Sequence, residues 1–158
     1  MFKPLWGARE WMRPKDGDTL AAWHGRLSEF HGMGGGFMSA QVVADMKYIH
    51  PLLLADDWGT FAASGPGSRR GLNLVLGRSV DAAWRESDWR ATLRRVYEAI
   101  QPELPRIGVS EFHAQDLQNC LCEFSKYERT RLGHGRPKRR FVPTSEPLSD
   151  SPTRDGAA

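Results

Sequence analysis

The apolar positions outline helices before any other property of the chain is considered. Leu20, Trp23, Leu27 and Phe30 recur at i, i+3, i+7 and i+10, the stripe of a helix lying on a core. Asp18 stands where an N-cap belongs, and the glycines after His31 end the segment. A second helical pattern opens with Phe37, Met38, Val42, Val43 and Met46 and reaches about Tyr48, before Pro51. The pair reads as helix, tight glycine turn, helix.

A short segment around Leu54 to Ala63 leads into Ser64-Gly65-Pro66-Gly67-Ser68-Arg69-Arg70-Gly71, a composition expected of a turn or loop. Ser87 is placed to cap a helix whose stripe is Trp89, Leu93, Val96, Tyr97 and Ile100, closed by Pro102 and Pro105. Ser110 is placed to cap the best-defined helix, about Glu111 to Arg129, expected to bury Phe112, Leu117, Leu121 and Phe124. Asp116, Asn119, Glu123 and Lys126 share another face of it. Gly133, Gly135, Pro137 and the basic run Lys138-Arg139-Arg140 follow. No strand alternation and no internal repeat stands out, so the fold class is mainly α. The organisation expected is a helical domain over residues 1–142 and a Pro/Ser/Thr-rich tail over 143–158 that is disordered.

Composition narrows the classes. The chain has 158 residues, 40% of them hydrophobic and 10% aromatic, enough for one core and against wholesale disorder. No stretch is long and apolar enough for a membrane span, and the N-terminus lacks the apolar run of a secretory signal, so a cytoplasmic protein is expected. Cys120 and Cys122 are the only cysteines and read as buried small hydrophobes. The five histidines show no metal-ligand spacing, no metal site is expected, and no cofactor can be named. Net charge is +3, or +5 over residues 1–143, and 17 of the 22 basic residues are Arg. Arg suits bidentate contact with phosphate, which favours a nucleic-acid or nucleotide partner, although a GC-rich genome produces the same bias.

Four constellations could carry chemistry. Gln41 and Asp45 lie one turn apart, an amide able to read a base edge beside a carboxylate able to act as base; the same spacing fits an exposed polar face. Gly32-Met33-Gly34 has the Gly-apolar-Gly form of a helix-hairpin-helix, without the basic residues that usually follow. Segment 64–71 lacks the Lys-Ser/Thr of a Walker A loop. Its glycines Gly65 and Gly67, the Ser68 hydroxyl and the Arg69 and Arg70 guanidiniums would still form a phosphate cradle, or a solvated loop. The stripe Asp116, Asn119, Glu123, Lys126 is either a surface ion-pair face or, with Asn119 beside two cysteines and Leu121, a partly desolvated functional face.

Taken together, the segments Gly36 to Met46, Gly65 to Asn73, Asp116 to Tyr127 and Gly135-Arg136-Pro137 resemble, in order and spacing, the α-glutamyl/putrescinyl-thymine pyrophosphorylase family. That family shares its helical domain with phage 5-hydroxymethyluracil DNA kinases. The resemblance spans about residues 4–141. It implies a helical fold similar to DNA glycosylases. It also implies hypermodification of thymine-derived bases in phage or prophage DNA, in which an amine or amino acid replaces the phosphate or pyrophosphate on an activated 5-hydroxymethyl group. DNA and the amine donor are the implied partners. Carried over position by position, the family's polar residues fall on Gln41 and Asp45, on Gly65, Gly67, Arg69, Arg70 and Asn73, and on Asp116, Cys122, Glu123, Lys126 and Tyr127. The roles implied are Asp45 or Glu123 as general base, with Lys126 in the catalytic set, Arg69 and Arg70 on the departing phosphate, and Gln41 as reader of the base. Family members usually begin with a further helical half, with nothing of that kind before Trp6. The chain therefore resembles the C-terminal half of a larger domain, completed by a separate polypeptide or reduced to a non-catalytic DNA-binding module.

Overall fold

The computed structural model describes residues 6–33 and 36–136. The tail 143–158, the run Lys138-Arg139-Arg140, and Gly34 and Gly35 of the glycine turn lie outside them. Among the described residues there are six α-helices and no strand: α1 (Arg9–Met12), α2 (Leu20–Ser28), α3 (Phe37–Met46), α4 (Pro66–Val75), α5 (Glu86–Ile100) and α6 (Ala114–Arg131). The mainly α expectation stands.

Two apolar clusters hold these helices. In the first, Leu20, Trp23 and Leu27 of α2 meet Val43 of α3, with Leu52 and Phe61 closing over them. In the second, Leu72 of α4, Trp89 and Leu93 of α5 and Ala114, Leu117 and Leu121 of α6 pack around Ala62. Phe61 and Ala62, adjacent in sequence, point into different clusters, so the extended segment before α4 joins the two. Each fully buried Leu or Phe contributes roughly 1.5–3 kcal/mol of transfer free energy.

The helix ends depart from the sequence expectation in informative ways. Asp18 does not cap α2; its carboxylate pairs with Arg26, which holds its carboxyl below the usual range. The cap is Thr19, whose hydroxyl accepts the Ala22 N–H at 3.0 Å. Asp57 joins it from a distant turn, accepting the Leu20 and Ala21 N–H groups at 2.8 and 2.9 Å. A carboxylate on two orphan amides at the positive end of a helix is a strong cap. Helix α5 begins at Glu86, ahead of the expected Ser87 cap. Helix α6 begins at Ala114 after His113, three residues beyond Ser110, because the Asp116 carboxylate accepts the His113 N–H at 2.8 Å.

Most of segment 64–71 is helix rather than loop, from Pro66 onward. Pro66 opens α4 with its ring-fixed φ, and the Ser68 hydroxyl accepts the Gly65 N–H at 2.9 Å. Gly67 and Gly71, one turn apart, face α6: a Cβ on Gly67 would sit 2.5 Å from Cys122 Sγ, and one on Gly71 would sit 2.0 Å from the Leu121 carbonyl oxygen. The glycines are there for close approach of two helices, not for a turn.

Three further expectations are corrected. Phe124 is 38% exposed rather than buried. Cys120 is exposed and Cys122 half-buried, so neither is a core residue. Asn119 is exposed, so the apolar neighbourhood expected around it is absent. The cause is common to all: α6 packs through Leu117, Leu121 and Ser125, and positions 119, 120, 123 and 124 turn away from that line.

Candidate functional site

Close packing of α4 on α6 leaves a cleft of about 700 Å³ along one side of the pair. Gly67, Arg70 and Leu74 come from α4, Cys122, Ser125, Lys126 and Arg129 from α6. Glu128 of α6 and, beyond the two helices, Val80, Asp81, Leu132 and His134 complete the lining. Gly67, Arg70 and Lys126 were singled out in sequence, and the fold brings them together across more than fifty residues of chain.

The cleft's charges are set by their partners. Arg70 donates Nε to Asp81 at 2.9 Å, and its terminal nitrogens make no hydrogen bond among the described residues. Arg129 donates Nε to the His134 carbonyl at 3.0 Å and has no carboxylate partner among them. Lys126 contacts Glu123 at 2.5 Å, which raises its pKa, and both side chains are well exposed. Glu128 is held by Arg131 and its carboxyl lies below the usual range. Two guanidiniums and an ammonium at the rim of one concavity form a surface for phosphate.

A smaller cleft of about 200 Å³ adjoins it and shares Arg70, Val80 and Asp81. Arg69 and Asn73 line it, but both are engaged. Arg69 donates to the Ser64 hydroxyl at 2.7 Å and to Glu86 at 3.0 Å. Glu86 also accepts from the Ser64 N–H, the Ser64 hydroxyl and Arg90. Burial alone would raise its pKa, and these donors outweigh burial and hold it low. Asn73 is 1% exposed and its amide grips the Val80 and Ala82 carbonyls at 3.0 and 2.9 Å, fixing the loop that helps line the large cleft. Ser68 is fully buried, with its hydroxyl spent on Gly65, and Gly65 lies under the Phe37 ring.

The remaining candidates stand elsewhere. Gln41 is half-buried and Asp45 exposed on α3; neither lines these clefts. Tyr127 is 62% exposed on the outer face of α6, with Asn119 and Glu123. Asp116 sits at the start of α6, 3.3 Å from His113 Nδ1 and 3.9 Å from Lys47 Nζ. Lys47 was not anticipated. Its side chain is only 3% exposed, and its ammonium lies 4.8 Å from the Trp58 ring centroid and 5.0 Å from that of Tyr48. Burial pushes its pKa down, against the pull of Asp116.

Sequence reading also missed Ser125 and Arg129. The signal was present: Cys122, Ser125, Arg129 and Leu132 recur at i, i+3, i+7 and i+10, the same spacing as the polar stripe beginning at Asp116. The stripe beginning at Asp116 is the more polar of the two, and the line through Ser125 is the one that faces the cleft.

No group of three or more His, Cys, Asp or Glu among the described residues could hold a metal ion, and no helix there is long and apolar enough to cross a membrane. A family model, 5-hmdU DNA kinase, helical domain, matches residues 13–136. The chain belongs to that family. Membership links it to DNA modification, in the general area of phage thymine hypermodification. No curated protein and no solved structure matches the chain.

Proposed function

We propose that the chain binds DNA within a phage or prophage thymine-hypermodification system and holds the phosphate backbone along the α4–α6 cleft. The observation that carries this reading is the convergence of Arg70, Lys126 and Arg129 on one concavity, in a member of a DNA kinase family. Phosphate contacts of this kind supply most of non-specific DNA affinity. The reading needs no catalysis by this chain, and 5-hydroxymethyluracil DNA is the substrate it would present to a partner enzyme.

Fluorescence anisotropy with a labelled duplex, with and without 5-hydroxymethyluracil, tests it. Arg70→Ala weakens binding by about tenfold or more, the worth of one charge-assisted contact, while Arg94→Ala on the exposed side of α5 does not. Equal affinity for wild type and Arg70→Ala refutes the reading.

Group transfer is the finer reading, and the pairing of Lys126, which lines the cleft, with the Glu123 carboxylate on the outer face of α6 favours it. An amine nitrogen would attack the methylene carbon on C5 of the base, and the C–O bond would break. The phosphate or pyrophosphate would leave with the bonding electrons toward Arg69 and Arg70, and Glu123 or Asp45 would take the amine proton. Incubation with DNA carrying phosphorylated 5-hydroxymethyluracil and an amine or amino acid, followed by nucleoside mass spectrometry, decides it. A new nucleoside lost in Glu123→Gln and Asp45→Asn supports transfer, and no new nucleoside leaves DNA binding alone.

A further inference from the structure

The α4–α6 cleft is larger and more mixed in character than a backbone phosphate requires. A phosphate needs donors on a surface, whereas this cleft holds about 700 Å³, within the range of small-molecule sites of roughly 300–1,000 Å³. Its walls carry Leu74, Val80 and Leu132, apolar surface that offers nothing to a phosphate and suits the flat faces of a base. Ser125 lies in it only 9% exposed, and its hydroxyl makes no hydrogen bond among the described residues. That hydroxyl can donate or accept as a base edge demands. The cations are at the rim and the unpaired hydroxyl is inside.

We propose that this cleft receives one unstacked pyrimidine nucleotide of DNA, its phosphate on Arg70 and Arg129, its base between Leu74, Val80 and Leu132, and its polar edge on Ser125. The proposal rests on the DNA-binding reading, which supplies the pyrimidine and the strand. Taking the base out of the stack costs a few kcal/mol and less at a mismatch, so a duplex with a T·T mismatch binds more tightly than its matched counterpart. A free nucleoside monophosphate presents the same groups, and the two sources are separated by that comparison.

The test uses the full chain, labelled for amide NMR and titrated with 5-hydroxymethyl-2′-deoxyuridine 5′-monophosphate and, separately, with inorganic phosphate, alongside anisotropy with the matched and mismatched duplexes. The nucleotide moves the signals of Gly67, Leu74, Ser125 and Leu132 and binds more tightly than phosphate. Ser125→Ala weakens it about fivefold, the worth of one hydrogen bond. Val80→Trp, at a position already 40% exposed, fills the cleft and weakens it about tenfold or more. Equal binding of nucleotide and inorganic phosphate, shifts confined to other residues, or unchanged affinity in both variants overturns the proposal. A chain that binds the free nucleotide in the cleft but both duplexes equally takes nucleotides from solution, which overturns the DNA source. If duplex DNA binds and the nucleotide does not, the pocket falls and the DNA reading stands; if neither binds, both fall.

Discussion

The Cα of Gly71 lies so close to the main chain at Leu121 that a methyl group on it would stand 2.0 Å from the Leu121 carbonyl oxygen. Backbone cannot yield as the end of a side chain can, so α4 and α6 keep their spacing only while this position is glycine. Gly71→Ala gains about 1 kcal/mol of helix propensity and loses more, because overpacking typically costs about 1–3 kcal/mol. Urea unfolding gives a lower midpoint for Gly71→Ala; an unchanged or higher midpoint contradicts the packing described.

Gly67 differs in kind, since the atom it would strike is the Cys122 sulfur at 2.5 Å, with the Cys122 Cβ at 3.4 Å. Gly67→Ala alone is destabilising. In combination with Cys122→Ala the sulfur is gone and most of the loss is recovered. A double-mutant cycle reads this as a coupling of about 1 kcal/mol or more, and strict additivity would place the two residues apart.

Lys47 carries a pH dependence of definite sign. Its folded-state pKa lies below its ordinary value because burial disfavours the ammonium, so the native state sheds this proton at a lower pH than the unfolded chain does. Between the two pKa values the unfolded state binds more protons, and stability therefore rises with pH toward the unfolded lysine value of about 10.4. Lys47→Met removes that rise. Denaturant titrations at neutral and alkaline pH show a smaller pH slope for the variant, and identical slopes place Lys47 in solvent.

Glu86 and Asp18 act in the opposite range. Each has a folded-state pKa below its ordinary value, so the stability they contribute is fully present above the unfolded carboxylate range and is lost as pH falls through the folded value. Wild type loses stability on acidification from neutral pH, and Glu86→Gln and Asp18→Asn each shrink that loss. An undiminished loss in both variants assigns it to other groups.

The Glu123–Lys126 pair predicts a separation of stability from binding. Exposed pairs are worth about 0–1 kcal/mol, so Glu123→Gln leaves the unfolding midpoint nearly unchanged. Freed of its partner, Lys126 meets phosphate more readily, and duplex affinity rises. Weaker DNA binding by Glu123→Gln contradicts a purely electrostatic role for this carboxylate and favours the transfer reading.

How much of this could be read from sequence varies with the range of the interaction. The stripes Leu20-Trp23-Leu27 and Trp89-Leu93 located α2 and α5 because burial follows helical period. Segment 64–71 misled because glycine and proline serve both turns and helix starts, and only the distant Leu121 and Cys122 show which applies. Asp57 capping α2 from a distant turn, Asn73 gripping the loop at Val80 and Lys47 buried on Trp58 are contacts that cross a turn or loop, which no helical period encodes. Of the cleft, Arg70 is legible as a cation among glycines and Lys126 as the end of the polar stripe that begins at Asp116, whereas Ser125 and Arg129 lie on a less polar line of the same helix that only the packing of α4 singles out.

The salt dependence of duplex affinity tests the cleft most directly, because each phosphate neutralised by the protein contributes about 0.9 to the slope of log K against log salt. With Arg70→Gln, Lys126→Gln and Arg129→Gln combined, the slope falls by about two to three relative to wild type, and affinity falls most at low salt. A combined variant that keeps the wild-type slope would mean that DNA lies on another face of the protein.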